Sequence, residues 1–317
     1  MNRLHLILAA AVLCPSVGCE WMKQNGIGKP DNFPGKYGRD RELPPVAPEK
    51  LVAYLNDRAA GLQSITHAEV RVLATDRSTL MPTPPVSLTG ELFAAQPRNF
   101  ELDTRSGGLV NVKMFMGSND QEFWVFARVH TGDPMYMYAS HADFEAGRAK
   151  LPGGVPFEPE WVMQALGMAT FSPNNRYEVK PDPKVGTYTL SWPATTPNGM
   201  LVVKEVVFNA DPADGKKSQV KRHAVRDAKG GKELCYAEIK EARTERGADG
   251  RVLQYPTLMV LRWEEPQKFE LKLEITNAPQ INQPLTAEEA KRHFRRRAIA
   301  GVTPIDLAHA RFDLPAK

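Results

Sequence analysis

The spacing of hydrophobic positions changes once, early in the chain. Leu51, Leu55, Ala59 and Leu62 recur at helical spacing behind Pro48 and Glu49, which suit a helix start, and Gly61 weakens the end. From His67 onward the period becomes two. Val70, Val72 and Ala74 alternate with Glu69 and Arg71, and residues 269–276 (FELKLEIT) alternate without a break. Residues 187–192 do the same with larger rings, and further strands are predicted over 87–94, 99–104, 109–116, 122–129, 135–139, 200–209, 219–227, 233–242 and 256–264. Gly- and Asp-rich signals at 106–108, 117–120, 131–134, 229–231 and 248–250 separate them. Many strands joined by short turns predict an antiparallel meander, and one polar face per strand predicts a sheet with one side in water. Two helical patterns interrupt it. One spans 158–167, with Pro159 at the start, Gly167 after the end and an apolar stripe of Trp161, Val162, Ala165 and Leu166. The other opens on the capping-box pattern Thr286-Ala287-Glu288-Glu289 and is expected to run to about Ala300.

The first residues follow a different logic. Arg3 supplies a positive charge, and an apolar run from Leu4 to Leu13 follows, interrupted only by His5. That run falls short of the roughly 20 residues a membrane span needs and fits the central region of a secretory signal. Ser16-Val17-Gly18-Cys19 resembles a bacterial lipobox, although Ser16 stands where leucine is usual. The expected product is cut before Cys19, whose thiol carries a diacylglyceryl group and whose amino terminus is acylated. Several chains in one anchor meet the requirement for stable attachment, which one chain does not. An ordinary cleaved signal with an incidental cysteine is the alternative. Glu20, rather than Asp, follows the cysteine, which by resemblance to the bacterial sorting rule favours the outer membrane over the inner one.

Composition then sets the layout. Residues 20–44 are rich in Gly, Pro, Asn and charge and read as a flexible tether. The expected organisation is a signal peptide over 1–18, a lipidated N-terminus and tether over 19–44, one folded domain over 45–300 and a tail over 301–317. Of three cysteines, two lie in the signal region, so only Cys235 is expected in the mature monomer, no internal disulfide can form there and stability must come from a hydrophobic core. A net charge of +4 is too small to indicate nucleic acid as a partner.

Catalytic patterns are absent. The seven histidines form no His-Glu-x-x-His and no pair four apart, and there is no Gly-x-Ser-x-Gly, phosphate-binding loop or dinucleotide fingerprint. His141 beside Asp143, and His130 beside Asp133, read as solvated loops. Residues 211–215 (DPADG) read as a hairpin turn rather than a calcium loop, and Cys235 as a small buried hydrophobe. No enzyme activity, metal or cofactor is expected.

A resemblance enters at this point. The helix Leu51-x-x-x-Leu55-x-x-Arg58 leads into a strand around Val70, the pair 88–92 (LTGEL) and 97–102 (PRNFEL) follows, and 116–126 (MGSNDQEFWVF) comes next. This succession, through about residues 45–280, resembles the LolA/LolB-like lipoprotein-localisation fold. The resemblance implies a mainly β (α+β) fold: a strongly curved antiparallel sheet forming an incomplete barrel, closed by a few helices over an apolar cavity for acyl chains. The middle strands carry more bulky apolar residues than one packed face requires. Met114, Met116, Trp124, Phe126, Tyr136 and Tyr138 on the strands, with Trp161, Met163 and Leu166 on the short helix, are therefore the candidate cavity lining, with plain core residues as the alternative. Leu80 and Met81, in an uncharged Pro-rich connector, are candidate membrane contacts. Arg295 and Arg296, in the densest basic cluster, are the others; the alternative is favourable interaction of that cluster with a helix C-terminus. Together these readings predict a monomeric, membrane-anchored periplasmic lipoprotein that binds or accepts lipid or lipoprotein acyl chains. The second reading is a structural or sensory envelope lipoprotein using the same fold for protein contacts.

Overall fold

The protein is described by a computed structural model covering residues 42–78, 84–107, 112–128, 133–149, 158–210, 218–246, 252–264 and 268–310. Cys19, Leu80, Met81, His130 and the 211–215 turn lie outside the described residues. Helix α1 (Pro48–Gly61) precedes strands β1 (Ser64–Asp76), β2 (Val86–Ala95), β3 (Asn99–Arg105), β4 (Lys113–Ser118), β5 (Glu122–Arg128) and β6 (Met135–Ser140). Two short helices follow, α2 (His141–Glu145) and α3 (Pro159–Leu166). Then come β7 (Glu178–Asp182), β8 (Thr187–Thr195), β9 (Leu201–Asn209), β10 (Val220–Asp227), β11 (Glu233–Arg246), β12 (Val252–Trp263) and β13 (Phe269–Ile275). The described chain closes with β14 (Gln280–Ile281), α4 (Ala287–His293) and β15 (Ile305–Asp306).

All strands join one open, curved sheet in the order β15-β6-β5-β4-β3-β2-β1-β13-β12-β11-β10-β9-β8-β7, with β14 beside β1. Two meanders, β1 to β6 and β7 to β13, are welded by the antiparallel β1–β13 pair, in which Val70 faces Ile275 and Val72 faces Leu273. The predicted antiparallel, mainly β architecture is therefore observed, with one parallel exception at β15–β6. Register shifts between Ile65 and Ala68, Val220 and Arg222, and Ile239 and Ala242 are bulges, which increase local twist and bend a strand.

One face of the sheet, called inner here, carries Val70, Val72, Leu88, Leu92, Val206, Met259 and Leu273 and packs on α1, α3 and the segment after α3. Helix α1 contributes Val52 and Leu55, and α3 contributes Trp161, Met163, Ala165 and Leu166, all buried. Burying one such side chain contributes about 1.5–3 kcal/mol. Polar bonds lock the helices to this frame. Asn56 exchanges two bonds with the Phe171 backbone, at 2.7 and 3.0 Å. Gln96 Nε2 donates to the carbonyls of Ala59 (2.7 Å) and Met168 (2.8 Å).

The C-terminal part departs from the sequence expectation. The capping box at Thr286 and Glu289 is present, but α4 ends at His293 instead of continuing to Ala300. His293 stacks on Phe93 with ring centroids 3.7 Å apart, and Arg297 forms ion pairs with β3. Those attachments draw residues 293–302 along the outer face of the sheet and stop the helix. Residues 301–310, read as tail, include β15 and the buried Leu307.

Candidate functional site

The inner region beneath α3 has unusual polar content. Helix α3 is eight residues long, and Gly167 caps it with φ of 80°. A side chain at that position would be strained, and its Cβ would also sit 2.7 Å from the Arg58 guanidinium carbon. Arg58, from the last turn of α1, thus lies directly against the end of α3. Its Nε donates to the Gln254 carbonyl at 3.3 Å, but its terminal Nη1 and Nη2 are shut from solvent and have no hydrogen-bond partner. Burial lowers the guanidinium pKa.

His223, on β10, shares this environment. It is 3% exposed, stacks on Phe171, and has no partner at either ring nitrogen. Burial, reinforced by the charge of Arg58, pushes its pKa down to about 3. Trp161 Nε1 is also buried without an acceptor. A small void under α3, lined by Glu158, Trp161, Gln164, Lys204 and His223 among others, measures about 10 Å³, at the lower limit for one water. Met163 is inaccessible and Leu166 is 1% exposed, so α3 lies closed against the sheet. The other end of α3 is held by the ion pair of Glu158 with Lys204, at 2.5 Å.

The outer face differs. On β1 to β4 it is polar and carries an open groove of about 720 Å³, whose lining includes Glu101, Asp103, Arg105, Lys113, His293 and Arg297. Glu101 is 2% exposed, and its Oε1 meets His293 Nδ1 at 2.9 Å and Arg297 Nη2 at 2.5 Å. Burial raises its pKa in spite of those two partners. Arg297 also reaches Asp103 at 2.7 Å and lies over the Phe115 ring.

The nine sequence-called lining residues fall on two faces. Met114, Met116, Trp161, Met163 and Leu166 belong to the inner core. Trp124, Phe126, Tyr136 and Tyr138 pack on the opposite face with Phe115, Ile299 and Val302. The pairing Gly117↔Trp124 explains part of this, since a Cβ on Gly117 would meet the indole at 2.7 Å. Tyr136 Oη donates to the Arg297 carbonyl at 2.7 Å, and burial raises that phenol to about 12. The surplus of bulky residues in β4 to β6 thus has a packing cause: both faces are covered, one by the inner core, α2 and Leu307, the other by residues 293–302.

Of the basic pair, Arg295 is exposed, whereas Arg296 bonds Glu122 at 3.1 Å and lies 3.6 Å over the Tyr138 ring. His141 bonds Ser118 Oγ and the Asn119 carbonyl, while Asp143 is engaged by Ser140 and Arg148; the two do not form a dyad. Cys235 is buried, and its thiol is pushed up to about 12. Among the described residues no group of three His, Cys, Asp or Glu side chains is placed to hold a metal. Arg58 entered the sequence reading only as part of the α1 pattern and His223 only among the histidines without a motif; neither was read as a functional residue. The one signal available was a charged residue at the end of an amphipathic helix, which is ordinary on any surface helix.

No protein-family profile and no curated protein matches the chain. Solved structures show likeness at low identity. A domain named for outer membrane lipoprotein sorting, from Vibrio parahaemolyticus, is 11% identical over 78% of this chain and 98% of its own, with a TM-score of 0.43. A LolA superfamily protein from Nitrosomonas europaea is 10% identical over 77% and 97%, at 0.42. A DUF1329 family protein from Desulfovibrio piger is 11% identical over 75% and 93%, at 0.41.

Proposed function

We propose that this chain is a non-enzymatic envelope lipoprotein, anchored through Cys19 and facing the periplasm, whose interior opens beneath α3 to receive the acyl chains of a lipid or lipoprotein. The observation that carries the reading is the seam under α3. Helix α3 packs on β10 and β11 and belongs to an apolar core that also holds the adaptable side chains Met163, Met168 and Met259, and buried donors at this place are left unpaired by the closed packing. A buried donor without an acceptor costs about 1–3 kcal/mol, so the closed seam carries a local cost that a ligand could offset. Gly167 is a natural hinge, and the Glu158–Lys204 pair is the fastening that must part. Transfer of acyl chains into the opened layer gains roughly 0.8 kcal/mol per CH2, so no catalytic group is needed for tight binding. The test is mass spectrometry of lipids that co-purify with the full chain carrying Cys19→Ser, which removes the attachment site alone. Acyl species in stoichiometric amount are expected; a lipid-free protein that also fails to take up an acyl probe refutes the reading.

A second reading rests on a separate observation, the charged outer groove of about 720 Å³. Carboxylates and cations interleaved on a sheet face suit a protein surface of complementary pattern. In that case Arg105→Glu with Lys113→Glu abolishes capture of an envelope partner and leaves acyl uptake untouched.

A further inference from the structure

Every unpaired buried side-chain atom of Arg58 is a donor: Nη1 and Nη2. Trp161 Nε1 is a third unpaired donor, and the neutral imidazole of His223 brings one unpaired N–H together with one unpaired acceptor nitrogen. Carboxylates are near, at Glu158 and Glu205 on the same small void, but Glu158 is taken by Lys204 and Glu205 by Arg226 at 2.8 Å. The void itself holds about one water and its lining does not include Arg58. Hence the closed molecule keeps a guanidinium fork whose two terminal nitrogens are shut from solvent with no acceptor in bonding reach. Folding around such a group is costly, because charge taken out of water must be paired to be offset.

The fork is the geometry that matches two oxygens on one atom. We propose that the interior beneath α3 binds a ligand through an anionic oxygen pair, a carboxylate or a phosphate, gripped by Nη1 and Nη2 of Arg58 with Trp161 and His223 as flanking donors. This rests on the acyl-binding reading above and names the polar end of its ligand: an amphiphile whose head enters the protein and whose chain lies along the methionine-lined layer. The same oxygens come from a lipid head or from a small free anion, and these two sources separate experimentally.

The experiment titrates the full chain carrying Cys19→Ser with dodecanoate, dodecanol, acetate and inorganic phosphate, reading tryptophan fluorescence and calorimetry. Dodecanoate is expected to bind about 10- to 100-fold more tightly than dodecanol, the range for hydrogen bonds to a charged group. Arg58→Met is expected to erase that preference by weakening dodecanoate binding far more than dodecanol binding, and to raise the urea midpoint. A merely structural arginine gives the opposite stability change. Should Arg58→Met not accumulate, Arg58→Gln removes the charge while keeping a donor, and the wild-type preference alone remains decisive. Equal affinity for dodecanoate and dodecanol overturns the headgroup assignment and leaves acyl binding standing. Arg58-dependent binding of phosphate or acetate, as tight as that of dodecanoate, upholds the anion site and refutes the acyl chain. Binding of none of the four refutes both.

Discussion

The domain buries charge in two places and treats it differently. On the outer face Glu101 is 2% exposed; its Oε1 meets both His293 and Arg297, while its Oε2 has no partner. At the end of α3 the half-buried Arg58 keeps one bond through Nε, and its two terminal nitrogens are shut from solvent with no partner of either charge. The first arrangement fastens a segment: it ties residues 293–297 to β3 and so covers the apolar outer face of β4 to β6. The second fastens little, and its desolvation cost weakens the closed state. Glu101 has cations against its charge, whereas among the described residues Arg58 has no carboxylate in bonding reach, and that difference separates the two regions.

That contrast predicts opposite responses to the same kind of substitution. Arg297→Met leaves Glu101 with His293 alone and is expected to lower the unfolding free energy by about 3 kcal/mol or more. Arg58→Met removes an uncompensated buried charge and is expected to raise it by about 1–3 kcal/mol. Urea titration of the two variants checks both signs, and a loss in both would erase the distinction.

The pH response divides the regions too. His223 ionises near pH 3 when folded, against an ordinary value of 6.5. Between those limits the unfolded chain holds the extra proton, so stability is intact above about pH 6.5 and falls with acidification toward 3, by at most about 1.4 kcal/mol per pH unit. Arg58, Glu158, Lys204 and Glu205 are the charged groups around it. Glu101 works in the other direction: its raised pKa means that its contribution is lost as pH rises through the folded value. Comparing wild type with His223→Phe across pH 4–7 isolates the first effect, and an unchanged slope contradicts it.

Smaller effects sharpen the outer half. Phe93→Leu loses the ring stacked on His293 and should cost about 1 kcal/mol in thermal or urea unfolding. Arg295→Ala should change stability by less than about 0.5 kcal/mol, because the side chain is exposed. If Arg295 also meets anionic headgroups, the same variant weakens binding to phosphatidylglycerol vesicles by roughly fivefold, the equivalent of about 1 kcal/mol.

Much of the frame was legible in the chain. The unbroken alternation at 269–276 became β13, the Leu51–Leu62 pattern became α1, and the box at Thr286 and Glu289 caps α4. The side that a strand shows was not legible where both faces are apolar. In Phe123-Trp124-Val125-Phe126, period two has no polar phase to orient it, so Trp124 and Phe126 were grouped with Met114 and Met116, which face the other way. The end of α4 was hidden for another reason. Its helical pattern continues past His293, but contacts with Phe93 and Glu101, nearly 200 residues away, override it. The fate of Arg58 depends on the same kind of long-range contact, with Gly167 and His223, and local sequence carries no trace of it.

The central claim is that the filled interior opens at α3, and amide hydrogen exchange of the full chain tests it most directly. The account predicts that amides of residues 161–166 exchange through a local opening, well before those of β11 to β13, and that dodecanoate changes their protection selectively. Exchange of α3 only together with the sheet, in global unfolding and regardless of ligand, would contradict it.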